Sequence, residues 1–108
     1  MRYQQKRYAD AIKNYDRAIG LDSGYYAYYL GRGMSHVALG ERGRAKSDLT
    51  ASVELLPTTV AYLELGKIAE AEGDTALASR YYQAAGQGQG AVAEEARARL
   101  ARVSSSGP

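Results

Sequence analysis

Cysteine is absent from the 108 residues, which excludes disulfides, thiolate metal sites, thiol nucleophiles and redox motifs together. The single histidine, His36, excludes a multi-histidine metal centre. Phe and Trp are also missing, so the aromatic content is ten tyrosines. There are only two prolines, and the alanine-rich remainder favours helix. Apolar runs are a few residues long, far short of the ~20 needed to span a bilayer. The polar start, Met1-Arg-Tyr-Gln-Gln-Lys-Arg7, has no apolar stretch of the signal-peptide kind. No charge of one sign dominates either, because the formal net charge is +2. That balance gives no strong electrostatic footprint for nucleic acid or a membrane surface. These absences leave one soluble domain, or a piece of a larger soluble protein.

What is present is repetitive. Ala11, Tyr15 and Ala18 stand at spacings of four and three, and Ala45, Leu49 and Ser52 repeat them thirty-four residues later. Ala78, Tyr82 and Ala85 repeat them again after thirty-three. A second pattern precedes the last two sets: Tyr29-x2-Arg32-Gly33-x2-His36, then Tyr62-x2-Leu65-Gly66-x2-Ala69. Two sub-patterns sharing one period mark helical hairpins. The spacing predicts helices over about 26–39, 42–55, 59–72 and 75–86. Gly40 and Gly73 stand where a helix stops in positive φ. Asp74 is placed to cap the next helix, and Pro57 ends the first full pair. Gly33, Gly66, Ala45 and Ala78 allow close helix approach, and Tyr29, Tyr62, Leu49 and Tyr82 fill the remaining space.

These residues resemble the tetratricopeptide repeat. Tyr62, Leu65, Gly66, Ala78, Tyr82 and Ala85 match one repeat, and Tyr29, Gly33, Ala45, Leu49 and Pro57 match the one before. Ala11, Tyr15 and Ala18 look like the second helix of a still earlier repeat. Departures are Arg32 for Leu, His36 for Tyr, and Ser23 and Gly90 for Pro. The resemblance implies an all-α fold, a right-handed α-α superhelix of about two and a half repeats. The expected divisions are a half repeat over 6–22, repeats over 26–57 and 59–86, and a capping helix over 91–103. Together they make one domain over 1–103. Val92, Ala96, Leu100 and Val103 give that last helix one apolar stripe, which closes the solenoid. Gly86–Gly90 reads as a flexible hinge, and 104–108 as a disordered tail.

The resemblance also implies function. Tetratricopeptide arrays present their first helices along a concave groove that holds a peptide or an extended partner segment. The helical period agrees, since each first helix keeps a second stripe after packing. The candidate groove residues are Ala27, Leu30, Met34 and Val37 from one repeat, then Val60, Leu63, Lys67 and Glu70 from the next. Some family members clamp acidic C-terminal tails with Lys, Asn and Arg. Here apolar residues occupy most of the surface and leave Lys67 alone, so an apolar or amphipathic segment is the expected ligand. At the other end, Tyr8, Ala11, Tyr15 and Ala18 form a stripe that a preceding helix would cover. Left open, it is a candidate self-association face.

Catalytic readings are weaker. His36 has Ser35 and Asp48 as conceivable partners, yet it occupies a packing position of the repeat, and Ser35 points about 100° away on the helix. Arg32 stands where the repeat buries leucine, so it needs a carboxylate, for which Asp16 is a candidate. Arg42, Arg44 and Lys46 form a basic patch diluted by Glu41 and Asp48. No phosphate-loop motif is present. The chain is therefore expected to be non-catalytic, without cofactor or metal, and to bind protein or peptide, with a homodimer of the isolated chain possible, no nucleic acid and no membrane insertion. Two other readings stand beside it. One is a self-assembly scaffold. The other is a substrate-recruiting segment of a larger bacterial enzyme, because Tyr28–Gly33, Leu55–Thr58 and Ala78-x3-Tyr82 resemble the tetratricopeptide tails of cell-envelope zinc metallopeptidases. No HExxH occurs, so a peptidase domain would lie upstream of residue 1. The compartment would be cytoplasm, or periplasm in the cell-envelope case.

Overall fold

A computed structural model describes residues 2–105. Six helices account for most of them: α1 (Arg2–Leu21), α2 (Tyr26–Ala38), α3 (Arg42–Leu55), α4 (Thr59–Ala71), α5 (Thr75–Gly86) and α6 (Ala91–Ser105). There is no strand among the described residues. Packing divides the chain at Leu56 and Pro57 into two units, α1–α3 and α4–α6. Each hairpin follows from its glycines and caps.

In the first unit α2 packs against both α1 and α3. The chain reverses at Gly40, whose φ of 75° only glycine adopts without strain. The turn is tied by Glu41 N–H donating to the His36 carbonyl at 2.9 Å. Gly33 lets α3 in close, because a Cβ there would sit 3.1 Å from Leu49 Cγ. Ala45 and Leu49 are fully buried beneath it. The interior is unusually polar: Ser35, His36, Asp48 and Ser52 are all buried. None is orphaned, since no buried side-chain nitrogen or oxygen among the described residues lacks a partner. Ser52 Oγ donates to the Tyr26 carbonyl at 3.3 Å, and the partner of Asp48 is Arg32. Its Nε and one Nη each donate to Asp48 at 2.8 Å, and the other Nη donates to Asp16 at 2.8 Å. The carboxylate expected at Asp16 is there; Asp48 is the closer-bound partner. These bonds to Asp48, more than Asp16, hold the guanidinium pKa above its usual value against the opposing effect of burial.

The second unit is conventional. Leu63, Ala69, Ala78, Tyr82, Ala85, Ala96 and Val103 form one apolar cluster, with Tyr62, Leu77, Tyr81, Val92 and Leu100 packed around it. Tyr82 is fully buried, and its ring lies over Gly66, where a Cβ would come within 2.5 Å of it. Gly73, at φ 81°, makes the reversal. Asp74 then accepts from Leu77 N–H at 3.1 Å as the cap of α5. Thr58 caps α4 by accepting from Ala61 N–H at 3.3 Å, a signal the sequence reading passed over.

Two boundaries differ from expectation. Helix α1 starts at Arg2, four residues before the half repeat, because Arg2–Gln5 contains good helix formers and no breaker. Helix α6 runs two residues past Val103, into the stretch assigned to the tail. Buried Val103 anchors that turn, and Ser105 Oγ donates to the Arg102 carbonyl at 3.1 Å. The rest of the proposed tail, 106–108, lies outside the described residues. The glycine segment 86–90 is also more restrained than a hinge. Arg97 donates to the carbonyls of Gly86 at 2.7 Å and Gly88 at 3.3 Å.

Candidate functional site

On α2, Ala27, Leu30, Met34 and Val37 are all half-buried. They recur at three- and four-residue spacings, so they share one face of the helix, and none carries charge. Gly31 interrupts that face, because the Tyr15 ring of α1 occupies the space a side chain would need there.

The N-terminal stripe is therefore not the open face that its spacing suggested. Tyr15 is engaged by α2, and Ala11 and Ala18 are half-buried. Tyr8 keeps 40% of its surface. With Gln4, Arg7, Ala11 and Ser35 it lines an open cleft of about 320 Å³.

The catalytic alternative loses its geometry. His36 Nδ1–H donates to Glu41 Oε1 at 2.8 Å, and Nε2 lies 3.7 Å from Asp48. Ser35 Oγ instead donates back to the Gly31 carbonyl at 3.0 Å. Histidine and serine thus serve different partners, and no relay joins them.

On α4 the four groove candidates separate. Val60, Lys67 and Glu70 are half-buried, but Leu63 is only 4% exposed. It belongs to the core with Ala96 and Val103 because α6 packs on α4 as well as on α5. Leu63 is a packing residue, not a groove residue. Helix α6 also brings cations to this face. Lys67, Glu70 and Ala71 of α4 line an open cleft of about 450 Å³ with Arg99 and Arg102 of α6. The signal was present in the spacing: Arg99 and Arg102 are three apart and flank Leu100 and Val103 on the packed stripe.

Every cation in this cleft faces a carboxylate. Lys67 pairs with Glu64 at 3.2 Å, and Arg99 with Glu95 at 2.9 Å. Arg102 donates to both oxygens of Glu70, at 2.8 and 2.6 Å. Glu70 also accepts from the Tyr82 hydroxyl at 2.6 Å. Burial, reinforced by the Glu70 bond and charge, pushes the Tyr82 phenol up to about 12, with Arg99 acting in the opposite direction. The Glu95 hydrogen bond is the main cause raising the Arg99 pKa.

Hairpins of this kind have close counterparts among solved structures. PcrH in complex with the chaperone binding region of PopD superposes with a TM-score of 0.85 at 23% identity, over 95% of this chain and 83% of that one. The fold is that of a tetratricopeptide-repeat domain. The Yersinia enterocolitica type III secretion translocator chaperone SycD gives a TM-score of 0.84 at 17% identity, over 94% of this chain and 75% of that one. The first tetratricopeptide domain of Spaghetti (RPAP3), bound to the HSP90 peptide SRMEEVD, gives 0.80 at 22% identity, over 95% and 82%. The sequence itself matches no family model and no curated protein. The tetratricopeptide pattern here is thus carried by spacing and packing more than by residue identity.

Proposed function

We propose that this chain is a non-catalytic protein-binding module whose first helices receive a peptide or an extended partner segment. The observation that carries the reading is the face of α2. Leu30, Met34 and Val37 remain half-exposed while the polar side chains beside them, Arg32, Ser35 and His36, are all tied to internal partners. Such a face favours apolar side chains of a ligand over charged ones. The PcrH and RPAP3 structures, each solved with a bound peptide or binding region, support the same use of the fold. On α4, Val60 is apolar and half-buried, whereas Lys67 and Glu70 give that helix a charged end.

Selection of displayed random peptides on the immobilised chain tests this. Enriched sequences are expected to carry Leu, Val, Met or Phe at recurrent spacings. Leu30→Glu and Met34→Glu, both on a half-exposed surface, are each expected to weaken binding by roughly tenfold or more while helix content is kept. Selected peptides whose binding ignores both substitutions would overturn the reading.

A further inference from the structure

The cleft between α4 and α6 is lined by Lys67, Arg99 and Arg102, a set of cations that ought to attract an acidic ligand. What stops it is on the same surface. The Glu95–Arg99 pair is an i,i+4 neighbour on α6 with both side chains partly exposed, so an incoming carboxylate could break it at small cost. Lys67 is held by Glu64, a buried carboxylate of its own helix. Glu70 is different in kind, because it is reached from two other helices. It accepts from Tyr82 on α5 and, with both oxygens, from Arg102 on α6. Displacing it would strand a carboxylate and remove the partner of a phenol on a fully buried side chain. Yet the Arg102 side chain is 58% exposed, so a ligand could reach it if Glu70 released it.

We infer that Glu70 is a specificity-determining residue, an internal carboxylate that fills the basic cleft of α4 and α6 and so excludes acidic peptide termini. The chain supplies for itself the charge that such a ligand would bring. This concerns the second unit alone and holds whether or not the α2 face carries a peptide. Glu70→Gln is the informative change. The amide oxygen still accepts from Tyr82 and Arg102, so the packing survives, but the negative charge is gone and Arg102 is left with positive charge to offer.

Fluorescence anisotropy with labelled SRMEEVD, an acidic peptide with a free C-terminus, reads this directly. The wild-type chain is expected to bind it no better than about 1 mM. Glu70→Gln is expected to bind at least roughly tenfold more tightly, with the gain removed by added salt and by Arg102→Ala in the same background. The amidated analogue SRMQQVN, which has no acidic group, should show no gain. If Glu70→Gln loses helix content, Glu70→Ala combined with Tyr82→Phe removes the same carboxylate together with the phenol it satisfies. Equal affinity of wild type and variant, no binding by any variant, or a gain that survives Arg102→Ala would each overturn the proposal.

Discussion

Replacing Arg32 by leucine restores the residue that a tetratricopeptide repeat ordinarily carries at this position, and it should nevertheless destabilise the protein. Asp48 is the reason. Its side chain is 8% exposed and receives two 2.8 Å bonds from the guanidinium. Arg32→Leu strands that carboxylate in the interior, and breaking one side of a buried pair costs about 3–5 kcal/mol. Extra apolar burial by leucine offsets about 1 kcal/mol of this. A net loss of about 2–4 kcal/mol remains. Asp48→Leu should cost less, because Arg32 is 23% exposed and keeps Asp16. The double variant should return to wild-type stability or exceed it, since apolar replacement of a whole buried pair is commonly neutral or stabilising by about 1–4 kcal/mol. Urea unfolding followed by circular dichroism at 222 nm gives all four stabilities, with the slopes checking that the transition is unchanged. The coupling should be at least about 2 kcal/mol. Arg32→Leu at or above wild-type stability, or additivity within about 0.5 kcal/mol, would refute the reasoning.

Gly66→Ala should cost about 1–3 kcal/mol, since the new methyl meets the buried Tyr82 ring at 2.5 Å, whereas Gly43→Ala, in a helix with open space around it, should gain up to about 1 kcal/mol; reversed signs in thermal unfolding would contradict the packing. Tyr82 has a folded-state pKa of about 12, above its ordinary value, so its stabilisation is complete below pH ~10 and is lost as pH rises through the folded value. About 2–3 kcal/mol should therefore disappear across that window, and Tyr82→Phe should flatten the slope; an unchanged slope would remove Tyr82 from the account. The isolated chain should self-associate through the cleft at Tyr8, a patch that closes on itself in a two-fold dimer. Sedimentation should show Tyr8→Glu converting dimer to monomer with helix content kept, and a strictly monomeric wild type at high concentration would rule the face out. Tyr15→Glu is not an equivalent probe, because its ring packs over Gly31.

The repeat was legible because its signals are local and periodic. Gly40 and Gly73 mark reversals in positive φ, and Ala45, Leu49, Ala78 and Tyr82 occupy the buried seam that their spacing assigns. Arg32 announced itself as a charge at an apolar position, which forced a search for a carboxylate and found Asp16. Asp48 was harder to see, because it lies beside Ala45 and Ser52 on the buried side of α3 but, being charged and next to Arg44 and Lys46, read as part of a solvated face. Leu63 was misjudged, and Arg99 and Arg102 went unassigned, for one shared reason. Each helix was assigned its free stripe singly, and the stripe of α4 changes character once α6 lies on it. Periodicity gives the faces of a helix, but neighbours decide which face stays free.

The two units hold themselves together by different chemistry, and so they answer different stresses. Arg32, Asp16, Asp48, His36 and Glu41 link α1, α2 and α3 by charge-assisted bonds, whereas the second unit rests on an apolar cluster around Tyr82. Cooling weakens apolar attraction and leaves ion pairs largely in place. Amide exchange near 0 °C should therefore show the second unit loosening before the first. A chain built this way can loosen one unit in the cold without unfolding the other.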